Sequence, residues 1–305
     1  MTQPSRQIAI IAPSGYAADP EALGRAVDRL RAQGHQVHDL CSEHLRHQRF
    51  AASDAARVAQ LHAAATHPEA EIVIALRGGY GLSRLLPAID FGLLARSGKQ
   101  FVGHSDFTLV HLGLLAKAGA VSFAGPMICD DFSRPDISHF TQTHFWQGLS
   151  GSMSVAMSVV DNPVLEVSGT LWGGNLSMLA HLIGTEWMPH VDGGILFVED
   201  INEHPYRIER LMLQLWHAGV LANQKAVLLG DFSGYRLSDY DSGYDFSSML
   251  AYLRSRLPVP VLHGLPFGHT RDKLTLPVGA YGRLQSDANG LHLSLSGYPG
   301  LRDNK

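Results

Sequence analysis

Ser105 closes an apolar run, KQFVGHSDF, and stands just before an amphipathic one, TLVHLGLLAKAG. A serine at such a junction has two uses. It caps the helix by accepting a hydrogen bond from an early backbone N–H. Alternatively, a sharp turn lifts its hydroxyl over the carboxyl edge of a sheet, where it is a nucleophile and the next N–H faces a developing oxyanion. Gly103 permits such a turn, although the segment is G-x-S-D-F and not the G-x-S-x-G of α/β-hydrolases. The stretch by itself leaves both uses open. A second glycine turn, RGGYG at residues 77–81, also follows an apolar run. It lacks the lysine of a Walker loop, and Arg84 stands where a dinucleotide fingerprint needs its third glycine. Nucleotide binding is therefore weakly supported. The N–H groups of Gly79 or Tyr80 can instead complete an oxyanion hole, because ligands of open parallel sheets bind at the carboxyl ends of strands.

LFVEDINEHP ends an apolar run with Glu199, Asp200, Glu203 and His204. Such a group is either a solvated loop or a strand-terminal carboxylate that orients a histidine. LPFGHTRDK supplies His269 after a glycine, but His104, His111, His204 and His263 compete for a catalytic role, and residue types do not choose among them. There is no H-E-x-x-H and no C-x-x-C, and the 17 histidines are scattered, so no metal is expected.

The elements that must position these residues follow from periodicity. RQIAIIAPSGY, EIVIALRGGYG, KQFVGHSDF and VSFAGP read as buried strands. PEALGRAVDRLRAQGH carries Leu23, Ala26, Val27 and Leu30 on one helical face, and SDAARVAQLHAAAT is a helix capped at Ser53 or Asp54. Alternating strands and helices predict a parallel sheet with helices on both faces, here over residues 1–145. Residues 146–168, rich in Ser, Gly and Val, read as a crossing with short strands. Residues 169–305 read as a second α/β domain, in which PYRIERLMLQLWHAG is a strong helix begun by Pro205 and VPVLHGLPFGH, LTLPVGAYGRLQ and LHLSLSG are strands of a mixed sheet.

Composition narrows the function classes. The net charge is −4, with no basic stripe, which argues against nucleic acid as a partner. No apolar run reaches the roughly 18–20 residues that span a bilayer. The first residues lack the apolar core and cleavage site of a signal peptide. Two cysteines make no disulfide framework, and a reducing cytoplasm is the simplest compartment.

Taken in order from about residue 8 to about 298, IAPSGY, RGGYG, GHSDFT, GTLWGGNLSML, EDINEHPYRIERLMLQL, FSGY and PFGH resemble the serine LD-carboxypeptidases, the muramoyl-tetrapeptide carboxypeptidases of bacterial cell-wall recycling. The resemblance implies a flavodoxin-like N-terminal domain, similar to class I glutamine amidotransferases, and a smaller mixed α/β C-terminal domain. It implies Ser105 as nucleophile, His269 as general base and Glu199 as its partner, with the Asp106 and Gly79 N–H groups as oxyanion donors and the site at the domain interface. It further implies a cytoplasmic, metal-independent homodimer without cofactor, acting on the murein tetrapeptide L-Ala–γ-D-Glu–meso-diaminopimelate–D-Ala, free or muramoyl-linked. Arg77, Arg207 and Arg271 are candidates to hold the substrate carboxylate, and Tyr80 and Trp172 line the pocket or belong to the core. Two other readings compete: an immunity peptidase for microcin C-type peptidyl-nucleotides, whose members tend to be longer, and a catalytically silent binding protein. A glutamine amidotransferase proper needs a cysteine at an elbow, and neither Cys41 nor Cys129 occupies one.

Overall fold

The computed structural model describes residues 4–41 and 46–301; residues 1–3 and 302–305, at the outer ends of the two expected domains, and residues 42–45 lie outside the described residues. The first half alternates β1 (Gln7–Ile11), α1 (Ala22–Ala32), β2 (Gln36–Asp39), α2 (Asp54–Thr66), β3 (Ile72–Ala75), α3 (Phe91–Arg96), β4 (Gln100–Gly103), α4 (Thr108–Ala118), β5 (Ser122–Ala124) and α5 (His139–Gly148). The second half runs β6 (Met153–Met157), β7 (Leu165–Asn175), α6 (Leu176–His181), β8 (Ile195–Ile201), α7 (Pro205–His217), β9 (Ala226–Ser233), α8 (Phe246–Arg256), β10 (Val261–His263), β11 (Leu276–Val278), β12 (Tyr281–Asp287) and β13 (Gly290–Ser296).

Strands β1 to β5 form a parallel sheet in the order 5-4-3-1-2. Its inner strands β1, β3 and β4 are near-continuous apolar runs because helices cover both faces, and every residue of β3 and β4 is buried, whereas edge strand β2 is partly exposed. Helix α1 buries the face expected for it, and Ser53 caps α2 by accepting from the Ala56 N–H. This is the flavodoxin-like order, whose reversal between β1 and β3 opens a crevice at the strands' carboxyl ends. Three loops reach that crevice or its edge: Pro13–Gly15 after β1, residues 77–81 after β3, and His104–Phe107 after β4.

The second sheet has seven strands in the order 10-9-8-7-12-13-6. Its β7-β8-β9-β10 part is parallel, and β12, β13 and β6 extend it antiparallel. Long β7 serves both parts: residues 165–170 pair with β12 and residues 171–175 with β8. Helix α4 is buried without interruption from Thr108 to Leu114 because it lies between the sheets, against β7, α6 and β11.

Two strand expectations are corrected. VPVLHGLPFGH is strand only over β10, and residues 264–273 form a loop. LTLPVGAYGRLQ does not enter one sheet. Its Leu276–Val278 pairs antiparallel with β5, completing the first sheet, and the chain then turns at Gly279 (φ +98°) into β12 of the second.

Candidate active site

Ser105 is not a helix cap. Helix α4 has no side-chain cap, and a single 3-10 turn, Ser105–Phe107, separates it from β4. Ser105 itself has φ +61°, a left-handed conformation that costs a non-glycine residue roughly 1–2 kcal/mol. Neighbours enforce the turn. The Phe107 ring fills the space beside Gly103, where a Cβ would lie 2.7 Å from the ring. The buried Asp106 carboxylate accepts from Ser14 Oγ (2.7 Å) and from the Leu82 N–H (2.9 Å), so one side chain ties together the three loops at the sheet edge. Burial raises the Asp106 pKa to about 6 despite those bonds. Gly78 packs directly on the serine: a Cβ there would meet Ser105 Cβ at 2.8 Å and Oγ at 3.0 Å. Gly79, with φ +90°, makes the turn that follows.

The opposite wall comes from the second sheet. Glu199 follows the apolar run of β8 and is completely buried, and its Oε2 lies 2.8 Å from His269 Nδ1. Its other oxygen accepts from Asn175 Nδ2 (3.1 Å), which also donates to Asp200 Oδ1 (2.9 Å). Asp200 is held in turn by the Ser177 N–H and hydroxyl. The Asn175 N–H donates to Thr108 Oγ1 (2.9 Å), which joins the end of β7 to the start of α4 just beyond the nucleophile turn. Burial lowers the His269 pKa, but the bond to Glu199 and the charges of Glu199 and Asp200 outweigh it, and the net result lies above 6.5.

Of the five histidines left open by the sequence, His269 is the one bonded to Glu199. His111 is a core residue bonded to Ser122 Oγ and the Gly103 carbonyl, with its pKa pushed down to about 4 by burial. His104 is bonded to the Gly125 carbonyl, and burial holds it well below its ordinary value, hence neutral. His204 pairs with Asp241 and caps α7. His263 sits in β10, its backbone bonded to Asn162. The His104 and His269 rings lie 5.1 Å apart, edge to face, which brings the general-base candidate beside the nucleophile turn. Ser105 Oγ is not hydrogen-bonded to His269 here. Such contacts commonly tighten only when substrate binds.

The remaining candidates separate. The Arg77 guanidinium donates to the Tyr16 carbonyl (3.1 Å) and has no acidic partner among the described residues, while its chain neighbour Gly78 touches Ser105. Tyr80 is 46% exposed on the same loop, 6.1 Å from the Phe50 ring. Arg207 and Arg271 are exposed and pair with Glu203 and Asp136. Trp172 is wholly buried and bonds to Gln224, because β7 runs through the core at that point. Asn175 and Gly78 were not singled out by the sequence; the signals were the GGN that ends an apolar run and the first glycine of RGGYG. Among the described residues, no group of three or more His, Cys, Asp or Glu is placed to hold a metal ion, and no helix is long and apolar enough to cross a membrane.

A flavodoxin-like sheet with a strained serine at its carboxyl edge, beside a histidine bonded to a buried glutamate, is a framework suited to hydrolysis. Residues 8–125 match the N-terminal domain and residues 168–284 the C-terminal domain of the LD-carboxypeptidases. The chain belongs to that family and is a carboxypeptidase. It is 31% identical, over 90% of its length and 86% of the relative's, to a probable murein peptide carboxypeptidase of Bacillus subtilis. The solved muramoyltetrapeptide carboxypeptidase of Oxalobacter formigenes superposes with a TM-score of 0.92 at 56% identity, covering 96% of this chain and 99% of that one. The microcin C7 self-immunity protein of Escherichia coli is 27% identical over 75% of each chain.

Proposed function

We propose that this protein hydrolyses the bond between the L-centre of diaminopimelate and the terminal D-Ala of murein tetrapeptides, free or muramoyl-linked, through a Ser105–His269–Glu199 acyl-enzyme route. The observation that carries the reading is the 2.8 Å bond in which His269 Nδ1–H donates to buried Glu199, which leaves Nε2 as the proton acceptor. The names of the relatives support the substrate class.

In this mechanism neutral His269 takes the Ser105 proton as Oγ attacks the scissile carbonyl. Glu199 holds the ring in the useful tautomer and stabilises the imidazolium. The N–H groups of Asp106 and Gly79 receive the oxyanion, each such donor lowering the barrier by roughly 2.7–4 kcal/mol. His269 then protonates the departing D-Ala amine, and water resolves the acyl-enzyme by the same steps. A carboxypeptidase must also hold a free carboxylate. Arg77 is the best placed of the three arginines for that, since Arg207 and Arg271 already face carboxylates. Tyr80 lines the entrance. The reading includes a cytoplasmic homodimer that acts in cell-wall recycling without a cofactor.

The test is D-Ala release from purified murein tetrapeptide by the wild type beside Ser105→Ala, with a chelator throughout. Release by the wild type alone is expected. Release by Ser105→Ala would refute the serine mechanism. The microcin-immunity relative keeps a second substrate in view, and cleavage of a peptidyl-nucleotide in place of the tetrapeptide would move the assignment there.

A further inference from the structure

The loop that carries His269 is fastened to the other half of the molecule just after the histidine. The Arg271 guanidinium pairs with Asp136, and the Arg271 carbonyl accepts from Thr141 Oγ1 (2.9 Å). Asp272 accepts from Ser138 Oγ. The Lys273 N–H donates to Thr141 Oγ1 (3.0 Å), and its ammonium pairs with Asp131. Three consecutive residues are thus bonded to the segment 131–141, which follows β5. The Lys273 and Asp131 side chains are 1% and 3% exposed. Two ions so buried carry a large desolvation penalty, and a well-packed apolar pair is often no less stable, so stability alone does not explain them.

Asp131 also reaches the nucleophile side. Its second oxygen accepts from the Met127 N–H (2.8 Å), and the Met127 methyl lies 3.6 Å from the Cβ position of Gly78, the glycine packed on Ser105. Asp131 sits in a π-helical turn, Ile128–Phe132, a form often found at functional sites. One carboxylate therefore links the turn beside the nucleophile to the loop that carries the general base.

We propose that Asp131 and Lys273 are a positioning pair that registers the His269 loop against Ser105. The inference rests on the Ser–His–Glu reading above. It gives the buried cation a second effect, because Lys273 opposes protonation of both His269 and His104. The other groups that face His269 are Glu199 and Asp200 from β8, His104 from the nucleophile turn, and Asp231, whose Cβ approaches Gly268. Of these, the two β8 carboxylates favour the imidazolium, and Lys273 offsets them.

The experiment compares wild type with the neutral double variant Asp131→Asn/Lys273→Met, in the full chain. It reads kcat and KM for D-Ala release and the NMR titration of His269. A kcat loss of about 10- to 100-fold with a smaller change in KM, together with an upward move of the His269 titration, is the expected result. A kcat within about twofold of wild type with an unmoved titration would overturn the proposal. If the double variant does not fold, Thr141→Val, which removes only the hydroxyl between Lys273 N–H and the Arg271 carbonyl, is expected to lower kcat and leave the His269 titration in place; unchanged kcat would overturn it. Failure of the wild type to release D-Ala strikes the proposed substrate, and the His269 titration then still decides the role of the pair.

Discussion

Gly78→Ala is the sharpest probe of the nucleophile turn, because the added methyl has a known destination. It would stand 2.8 Å from Ser105 Cβ and 3.0 Å from Oγ, where an ordinary contact begins near 3.4 Å. Something must move by about 0.6 Å, and Ser105 is the nearest group. A misplacement of 1 Å costs roughly 100-fold in rate, so about 10-fold is expected in kcat, or roughly 1.4 kcal/mol on the barrier. Overpacking should also cost about 1–3 kcal/mol of stability. Stability loss alone is separated by a control at Gly98, which has φ +66° and nothing within 4 Å of a Cβ. Gly98→Ala strains the backbone before β4, at the opposite end of that strand, and should lower Tm without lowering kcat. The assay is D-Ala release under saturating tetrapeptide beside a thermal melt of each variant. A Gly78→Ala protein with native kcat would refute the claim that the glycine turn sets the position of Ser105.

Glu199→Gln keeps the shape but removes the charge that orients His269, so kcat should fall roughly 10³- to 10⁴-fold; near-native turnover would show that the carboxylate is not part of the machinery. In wild type, kcat/KM should rise with pH through an apparent pKa above 6.5, since His269 must be neutral and its net shift is upward; a limb well below 6.5 would contradict the Glu199–His269 pairing. Asp106 has its folded pKa raised from 3.8 to about 6, so the folded state binds the extra proton and the group's contribution to stability falls as pH rises between those values. Asp106→Asn should remove that slope, worth about 2 kcal/mol between pH 4 and pH 6, from chemical denaturation curves taken over that range; identical slopes in the two proteins would refute the burial argument.

Much of the site was legible because its residues end apolar runs. Ser105 and Glu199 each stand at the end of an apolar run that reads as a strand, and the carboxyl edge of a parallel sheet is where chemistry collects. His269 was not separable from four other histidines by residue type, because its distinction is a bond to a residue 70 positions away. Helix α5 escaped notice since Phe140, Phe145 and Trp146 do not fall at helical spacing. Trp172 was open between pocket and core by sequence, and the glycines beside it serve close strand packing: a Cβ at Gly173 would lie 1.9 Å from the Phe197 carbonyl. The Asp131–Lys273 pair joins two segments with no sequence pattern in common. A three-residue strand such as Leu276–Val278 has no local feature that says which sheet it will join.

The placement of that strand has a consequence during synthesis. A ribosome releases the β5 edge of the first sheet about 150 residues before the segment that covers it. Until then the nascent chain carries an open edge, with exposed N–H and C=O groups that invite wrong pairing. The segment that closes the edge is also the one that follows the His269 loop. An incomplete chain is therefore unprotected and inactive together, and both conditions end with the arrival of the same few residues.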